Sequence, residues 1–243
     1  MISQSLPWKR AWVIGASTGI GAEIAKQLAE AGVEVAASAR TIAPGDFAFP
    51  LDVTDASAVK TTFSEIEKKL GPLDLIICSF GSYKPLNAFQ LTLADHRAGI
   101  EVNYMGVVNV FEAVLPNLRQ RAKGHIAWIS SVAGYSGLPK SAAYGPSKAA
   151  LINLAEGVYP ELVRAGITLS VVNPGFVRTP LTAENDFPMP FLMEPDEAAR
   201  RTIKGLAQKN FEISYPKRFV LLLKFLRILP YWLFFKITTR LQS

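Results

Sequence analysis

The sequence predicts an α/β fold: a doubly wound, Rossmann-like parallel sheet with helices on both faces and an apolar helical tail. Three observations predict it. Short apolar runs alternate with segments of helical periodicity along most of the chain. The runs are apolar throughout rather than alternately polar. The first run leads directly into a glycine-rich turn, GASTGIG, at residues 15–21. Parallel strands covered on both faces read as continuous apolar segments, and regular strand–helix alternation builds a parallel sheet.

The strands, in order, are AWVIG (11–15), VEVAAS (33–38), FAFPLD (47–52), LDLIICSF (73–80), GHIAWISS (124–131) and GITLSVVNP (166–174). Between them, IGAEIAKQLAEAG, DASAVKTTFSEIEKKLG, TLADHRAGIEVNYMGVVNVFEAVLPNL and SAAYGPSKAALINLAEGVYPELVRAG place apolar residues at helical spacing. Several of these stop at glycine, as helices do. A chain of 243 residues, 49% hydrophobic, has ample core for one larger α/β domain. No repeat, low-complexity segment or linker interrupts it, so residues 1–243 are read as a single domain.

Composition removes several function classes. Cys78 is the one cysteine, which excludes an intrachain disulfide and a cysteine zinc site; His96 and His125 are too few for a histidine metal site, so no metal is expected. The start, MISQSLPWKRAWVIGAS, has no apolar run ahead of a cleavage site, so a cytoplasmic protein is expected. The net charge is +6, with its excess concentrated after Arg200, and no dense basic run or nucleic-acid motif lies in the body of the chain. No nucleic-acid partner is expected.

The first turn reads as a phosphate site. Gly15, Gly19 and Gly21 permit a sharp turn and close backbone approach, and Ile20 opens the helix whose N–H groups and dipole favour an anion. Ser17 and Thr18 are hydroxyl donors or helix caps. A dinucleotide fold that takes NAD carries an acid about 20 residues past the glycines. Here ASAR (37–40) has Arg40 and no acid, which favours the 2′-phosphate of NADP(H), with NAD(H) as the alternative. Asp52 either caps the next turn or accepts from an adenine amine. Tyr144 and Lys148, in AAYGPSKAA (142–150), share one helix face. They are either a surface pair or a phenol whose pKa a cation lowers, typically by about 1–3 units.

The motifs GASTGIG, LDV (51–53), VNYMG (102–106), ISS (129–131), YGPSK (144–148) and NPGFVRT (173–179) occur in the order and spacing of the short-chain dehydrogenase/reductase family, which the chain resembles over about residues 10–180. The resemblance implies that Tyr144 is the general acid or base and that Lys148 lowers its pKa and holds the nicotinamide ribose. It implies that Ser131, rather than Ser130, orients the substrate oxygen and that Asn103 holds a water for Lys148. Val53, Gly81, Pro174, Gly175, Val177 and Thr179 complete the cofactor contacts. It also implies a homodimer or homotetramer joined through the helices near 97–118 and 142–164. One departure stands out: CSFG (78–81) replaces the family's Asn-Asn-Ala-Gly, so Phe80 sits where a small residue is usual.

Residues 180–210 read as a substrate loop and helix. Phe187, Met189, Phe191, Leu192 and Met193 point to an apolar carbonyl or alcohol substrate. The tail, 216–241, is apolar and basic. Its apolar runs are too short to span a bilayer, and it reads as two short amphipathic helices broken at Pro230, with Lys217, Lys224 and Arg227 on one face. Two readings stand side by side: contact with a membrane surface, or packing on the substrate pocket or a subunit. The function expected is an NADP(H)-dependent oxidoreductase. The alternatives are a non-catalytic dinucleotide-binding regulator and a membrane-surface interaction protein.

Overall fold

The computed structural model describes residues 6–241. Residues 1–5 of the amino-terminal segment and residues 242–243 lie outside the described part. Seven parallel strands form one sheet in the order β3-β2-β1-β4-β5-β6-β7. The first six are β1 (Arg10–Ile14), β2 (Glu34–Ala39), β3 (Ala48–Pro50), β4 (Leu75–Cys78), β5 (Gly124–Ile129) and β6 (Ile167–Pro174). Each falls within one residue of its expected run or inside it. The seventh, β7 (Glu212–Tyr215), is an edge strand that the sequence reading lacked. Its four residues alternate Glu-Ile-Ser-Tyr, too short for a periodic signal, and stop at Pro216.

Helices cover both faces. On one side α2 (Ala56–Leu70), α4 (Gly106–Arg121) and α5 (Tyr144–Arg164) pack on a core that includes Trp12, Ile76, Trp128 and Leu151. On the other, α1 (Gly19–Glu30) and α6 (Pro195–Ala207) pack on Val13, Ile77, Ala127 and Val172. Successive residues of one strand, such as Trp12 and Val13, thus feed opposite cores, the structural counterpart of runs that are apolar at every position.

The long helix expected over the VNYMG region is three segments. α3 (Leu93–Ile100) opens with a reciprocal cap between Thr92 and Asp95, then Glu101–Met105 widens into a π-helical turn, and α4 follows. Such a turn inserts an extra residue and is common at functional sites. Here it places Asn103 fully buried under the end of β4. The tail is helical, as α7 (Lys217–Arg227) and α8 (Tyr231–Thr238), with Pro230 at the break. Phe219, Val220, Leu223, Leu226 and Phe234 bury themselves against Val132 and Tyr135. Among the described residues, no helix is long and apolar enough to cross a membrane.

Candidate active site

The strand order reverses between β1 and β4, where connections leave in opposite directions and open a crevice at the carboxyl ends of the strands. A cleft of about 430 Å³ lies there. Gly15, Ser17, Thr18, Gly19, Ile20, Arg40, Asp52, Val53, Gly81, Ser131, Tyr144, Lys148, Pro174, Gly175, Val177 and Thr179 all line it. Two of the expected residues, Gly21 and Asn103, are not among the lining residues.

The first turn shows what its glycines do. Gly15 (φ +88°) and Gly19 (φ +60°) adopt left-handed backbone. A Cβ on Gly15 would stand 2.6 Å from the Phe80 amide nitrogen, and one on Gly21 would stand 2.2 Å from the Gly15 carbonyl oxygen. Gly21 therefore serves close packing of α1 on the turn. Gly15 serves close packing of the turn on the end of β4. Thr18 precedes α1 without a side-chain cap, so the capping alternative for its hydroxyl is not realised. The first turn of α1 faces the cleft with N–H groups that no side chain caps. A helix terminus of this kind suits a phosphate.

At the second strand, Arg40 lines the cleft and is exposed. Asp52 caps the following turn and also lines the cleft. Its Oδ1 accepts from the Thr54 N–H at 2.9 Å and the Thr54 hydroxyl at 2.8 Å, and these bonds hold its carboxyl below the usual range. An uncapped helix terminus, a cationic fork and a cleft of this size together fit a dinucleotide phosphate.

The catalytic candidates stand at the other end. Tyr144 is the first residue of α5, and Lys148 lies one turn on, 3% exposed. The Lys148 Nζ donates to the Ile129 carbonyl at 2.9 Å and approaches the face of the Tyr144 ring, 5.6 Å from its centre. Burial pushes Lys148 down to about 8. Burial also pushes the Tyr144 phenol up to about 12, against the pull of the adjacent Ser131 hydroxyl. The direction is opposite to the one Tyr–Lys spacing implies. The ammonium is directed at a main-chain carbonyl and at the ring face, so desolvation outweighs it.

The two neighbouring serines differ. Ser130 donates to the Lys148 carbonyl at 2.9 Å and is buried, whereas Ser131 starts a 3-10 turn (Val132–Gly134) and accepts from the Ala133 N–H at 3.1 Å. Asn103 clamps the loop after β4. Its Oδ1 accepts from the Ser82 N–H at 2.7 Å, and its Nδ2 donates to the Ser82 carbonyl and the Ser147 hydroxyl, each at 2.9 Å. The amide in this structure positions backbone.

Phe80 is accommodated by Gly106. A Cβ on Gly106 would lie 3.0 Å from the Phe80 ring and 2.8 Å from a Val53 methyl. The large side chain fills space that a small residue on α4 leaves open, while one edge of it lines the cleft. Cys78 is buried, and burial raises its thiol pKa well out of the reactive range.

Sequence reasoning missed Val102, Ile129, Thr41 and Leu181, which also line the cleft. The rule that ligands sit beyond the carboxyl ends of parallel strands points to Ile129 and Thr41; Val102 and Leu181 carry no such signal. It also missed Tyr83, whose ring meets Tyr144 edge to face at 5.0 Å and whose hydroxyl donates to Asn185 Oδ1 at 2.7 Å. Tyr83 and Tyr144 border a second recess of about 280 Å³ whose rim carries the Lys84–Asp95 ion pair and Glu184.

The short chain dehydrogenase family profile matches residues 9–188. An uncharacterized oxidoreductase of Myxococcus xanthus is 35% identical over 98% of this chain and 99% of its own length. A 3-oxoacyl-(acyl-carrier-protein) reductase of Mycobacterium avium is 33% identical over 72% of this chain and 69% of its own. Among solved structures, a short chain dehydrogenase from Burkholderia cenocepacia in complex with NADP superposes with a TM-score of 0.76 at 26% identity, covering 85% of this chain and 87% of that one. The chain belongs to the short-chain dehydrogenase/reductase family, and it is an oxidoreductase with that family's nucleotide-binding Rossmann-like fold.

Proposed function

We propose that this oxidoreductase interconverts an apolar carbonyl compound and its alcohol with NADP(H), as a single-domain enzyme. One observation carries the reading: Ser131, Tyr144 and Lys148 converge at one end of a cleft whose other end holds an uncapped helix terminus and Arg40. The bound nicotinamide supplies or accepts the hydride. Tyr144 donates its phenolic proton to the carbonyl oxygen during reduction and takes it back in the reverse direction. Ser131 orients that oxygen. Lys148 would hold the ribose, and its charge would favour the phenolate as the proton leaves. Asn103 keeps Ser82 and Ser147 in register behind them. Arg40, exposed on the cleft wall in a segment without an acid, would pair with a 2′-phosphate, which favours NADP(H) over NAD(H).

The apolar substrate rests on the loop over the cleft, where Phe176 packs on Phe187 with ring centres 6.0 Å apart. The charged rim of the second recess gives that substrate a polar end to match. A cytoplasmic homodimer or homotetramer, joined through the α4 and α5 region and touching a membrane surface through its tail, completes the proposal. The test follows NADPH and NADH oxidation at 340 nm against carbonyls graded from short and polar to long and lipophilic. Turnover of lipophilic members, faster with NADPH, is the expected result. Binding of NADPH with no turnover of any carbonyl makes the chain a dinucleotide-binding regulator instead.

A further inference from the structure

The C-terminal helices have two apolar faces. Phe219, Val220, Leu223 and Leu226 form the inner one, packed on Val132 and Tyr135. Leu221, Leu222 and Phe225 fall on the opposite arc of α7, continued by Ile228 at its C-cap, because residues three and four apart share a helix face. They are exposed, Phe225 by 57% and Ile228 by 76%, and α8 adds Tyr231 at 78% and Trp232 at 70%. Half of the large apolar residues exposed among the described residues lie between 221 and 235. Charge follows the same boundary. Six of the 26 Lys and Arg residues, and none of the 20 Asp and Glu, come after Glu212, so the whole +6 excess sits in the last 31 residues.

Three occupants could cover such a face, and the charge separates them. A second copy, related by a two-fold axis, would set this cationic patch against itself with no acid in the segment to answer it. The substrate loop already meets the inner face through Phe219, leaving the outer one turned away. An anionic lipid surface answers both halves of the pattern, taking the apolar side chains and the aromatic rings at its interface and the cations at its headgroups.

α7 is also tied to the body of the fold and can act as a platform. Glu212 accepts from Tyr135 at 2.5 Å and pairs with Lys224 of α7, whose Nζ lies 5.4 Å from the Tyr135 ring centre. From that platform an aromatic path leads to the site. The Phe219 ring packs, tilted, against Phe176 at 5.6 Å and Phe191 at 6.1 Å between centres, and the loop that carries Phe191 reaches Tyr83 and Tyr144 through Asn185.

We infer that the outer face of α7 and α8 docks on an anionic lipid surface and delivers a membrane-dissolved carbonyl along the Phe219–Phe191 side of the loop. The delivery half rests on the reductase reading; the docking half does not. The probe is flotation with vesicles of phosphatidylcholine alone or mixed with phosphatidylglycerol. Quenching by brominated lipid reports on Trp232, since Trp8, Trp12 and Trp128 are buried. Two variants are compared with wild type: Phe225→Ser/Ile228→Ser/Trp232→Ser, and the charge reversal Arg227→Glu/Lys236→Glu.

Wild type is expected to float with the phosphatidylglycerol vesicles, less so at high salt, and to show quenching. Both variants are expected to bind at least about tenfold more weakly. Their KM for a long-chain ketone held in vesicles is expected to rise with that loss, while kcat on a short water-soluble ketone stays at the wild-type value. Equal flotation with both lipids, equal binding by the charge-reversed variant, or a lipid-indifferent wild-type dimer that the variants split each overturns docking. Docking with an unchanged KM for the vesicle-held ketone overturns delivery. If no protein reduces the short ketone, the reductase reading fails, and flotation still decides docking.

Discussion

At the base of the cleft, polar side chains are tied to backbone: Ser130 to the Lys148 carbonyl, Lys148 to the Ile129 carbonyl, Asn103 to both main-chain groups of Ser82. Over the cleft, the 179–194 loop is held by ring contacts, to Phe176 and to Phe219 of α7, and by exposed ion pairs such as Lys140–Asp186 and Arg178–Glu194. Directed bonds to main-chain groups fix an angle and a distance. Ring packing fixes only a neighbourhood, and exposed ion pairs contribute about 0–1 kcal/mol each. Under the proposed function, the rigid base would place a proton and the looser cover would adapt to a substrate.

The sharpest way to break that contrast is to alter one residue of each. Lys148→Met is expected to lower kcat/KM by about 10²–10⁴-fold, the usual range for a group that supports proton transfer. Phe191→Ala, in the cover, is expected to change it by no more than about fivefold, mostly through KM. Steady-state kinetics on one lipophilic ketone compares the two directly, and equal losses would erase the distinction. Arg40→Asp comes next. Loss of a charge-assisted pair with the 2′-phosphate is expected to weaken NADPH binding about tenfold to a hundredfold, with NADH little changed, in a titration of cofactor fluorescence.

A smaller effect is expected in stability against pH. Lys148 has its folded pKa pushed down from 10.5 to about 8. The unfolded chain therefore binds the extra proton between those values, and stability rises as pH rises through them. Between pH 8 and pH 10 the gain is about 2 kcal/mol, and Lys148→Met is expected to flatten it in urea unfolding curves. An unchanged slope in the variant would mean that the ammonium is better solvated than its surroundings indicate.

The contrast also explains what could be read from the sequence. Residues at the base carry small, fixed spacings, because a turn of α5 or the end of a strand sets them; Gly15–Gly19 and Tyr144–Lys148 are legible for that reason. The rank order of forces within the site was not legible. Spacing gives the proximity of Tyr144 and Lys148, but not that Nζ is directed at Ile129 and that burial dominates the phenol. The π-helical turn at Glu101–Met105 was hidden because its apolar pattern continues the flanking helical ones. Phe80 looked like an obstruction in the motif, and Gly106, 26 residues away, resolves it. The tail's break at Pro230 was legible because proline removes an N–H donor and crowds the preceding turn, although α4 and α5 run through Pro116 and Pro160 without breaking; β7 became a strand only through its pairing with β6.

The most direct measurement is single-turnover NADPH oxidation by wild type and Tyr144→Phe, with NADPH binding measured on the same samples. Removal of one oxygen is expected to leave cofactor affinity within about twofold and to slow hydride consumption by about 10²–10⁴-fold. A Tyr144→Phe protein that consumes NADPH with a lipophilic ketone at the wild-type rate would contradict the central claim that this phenol supplies the proton.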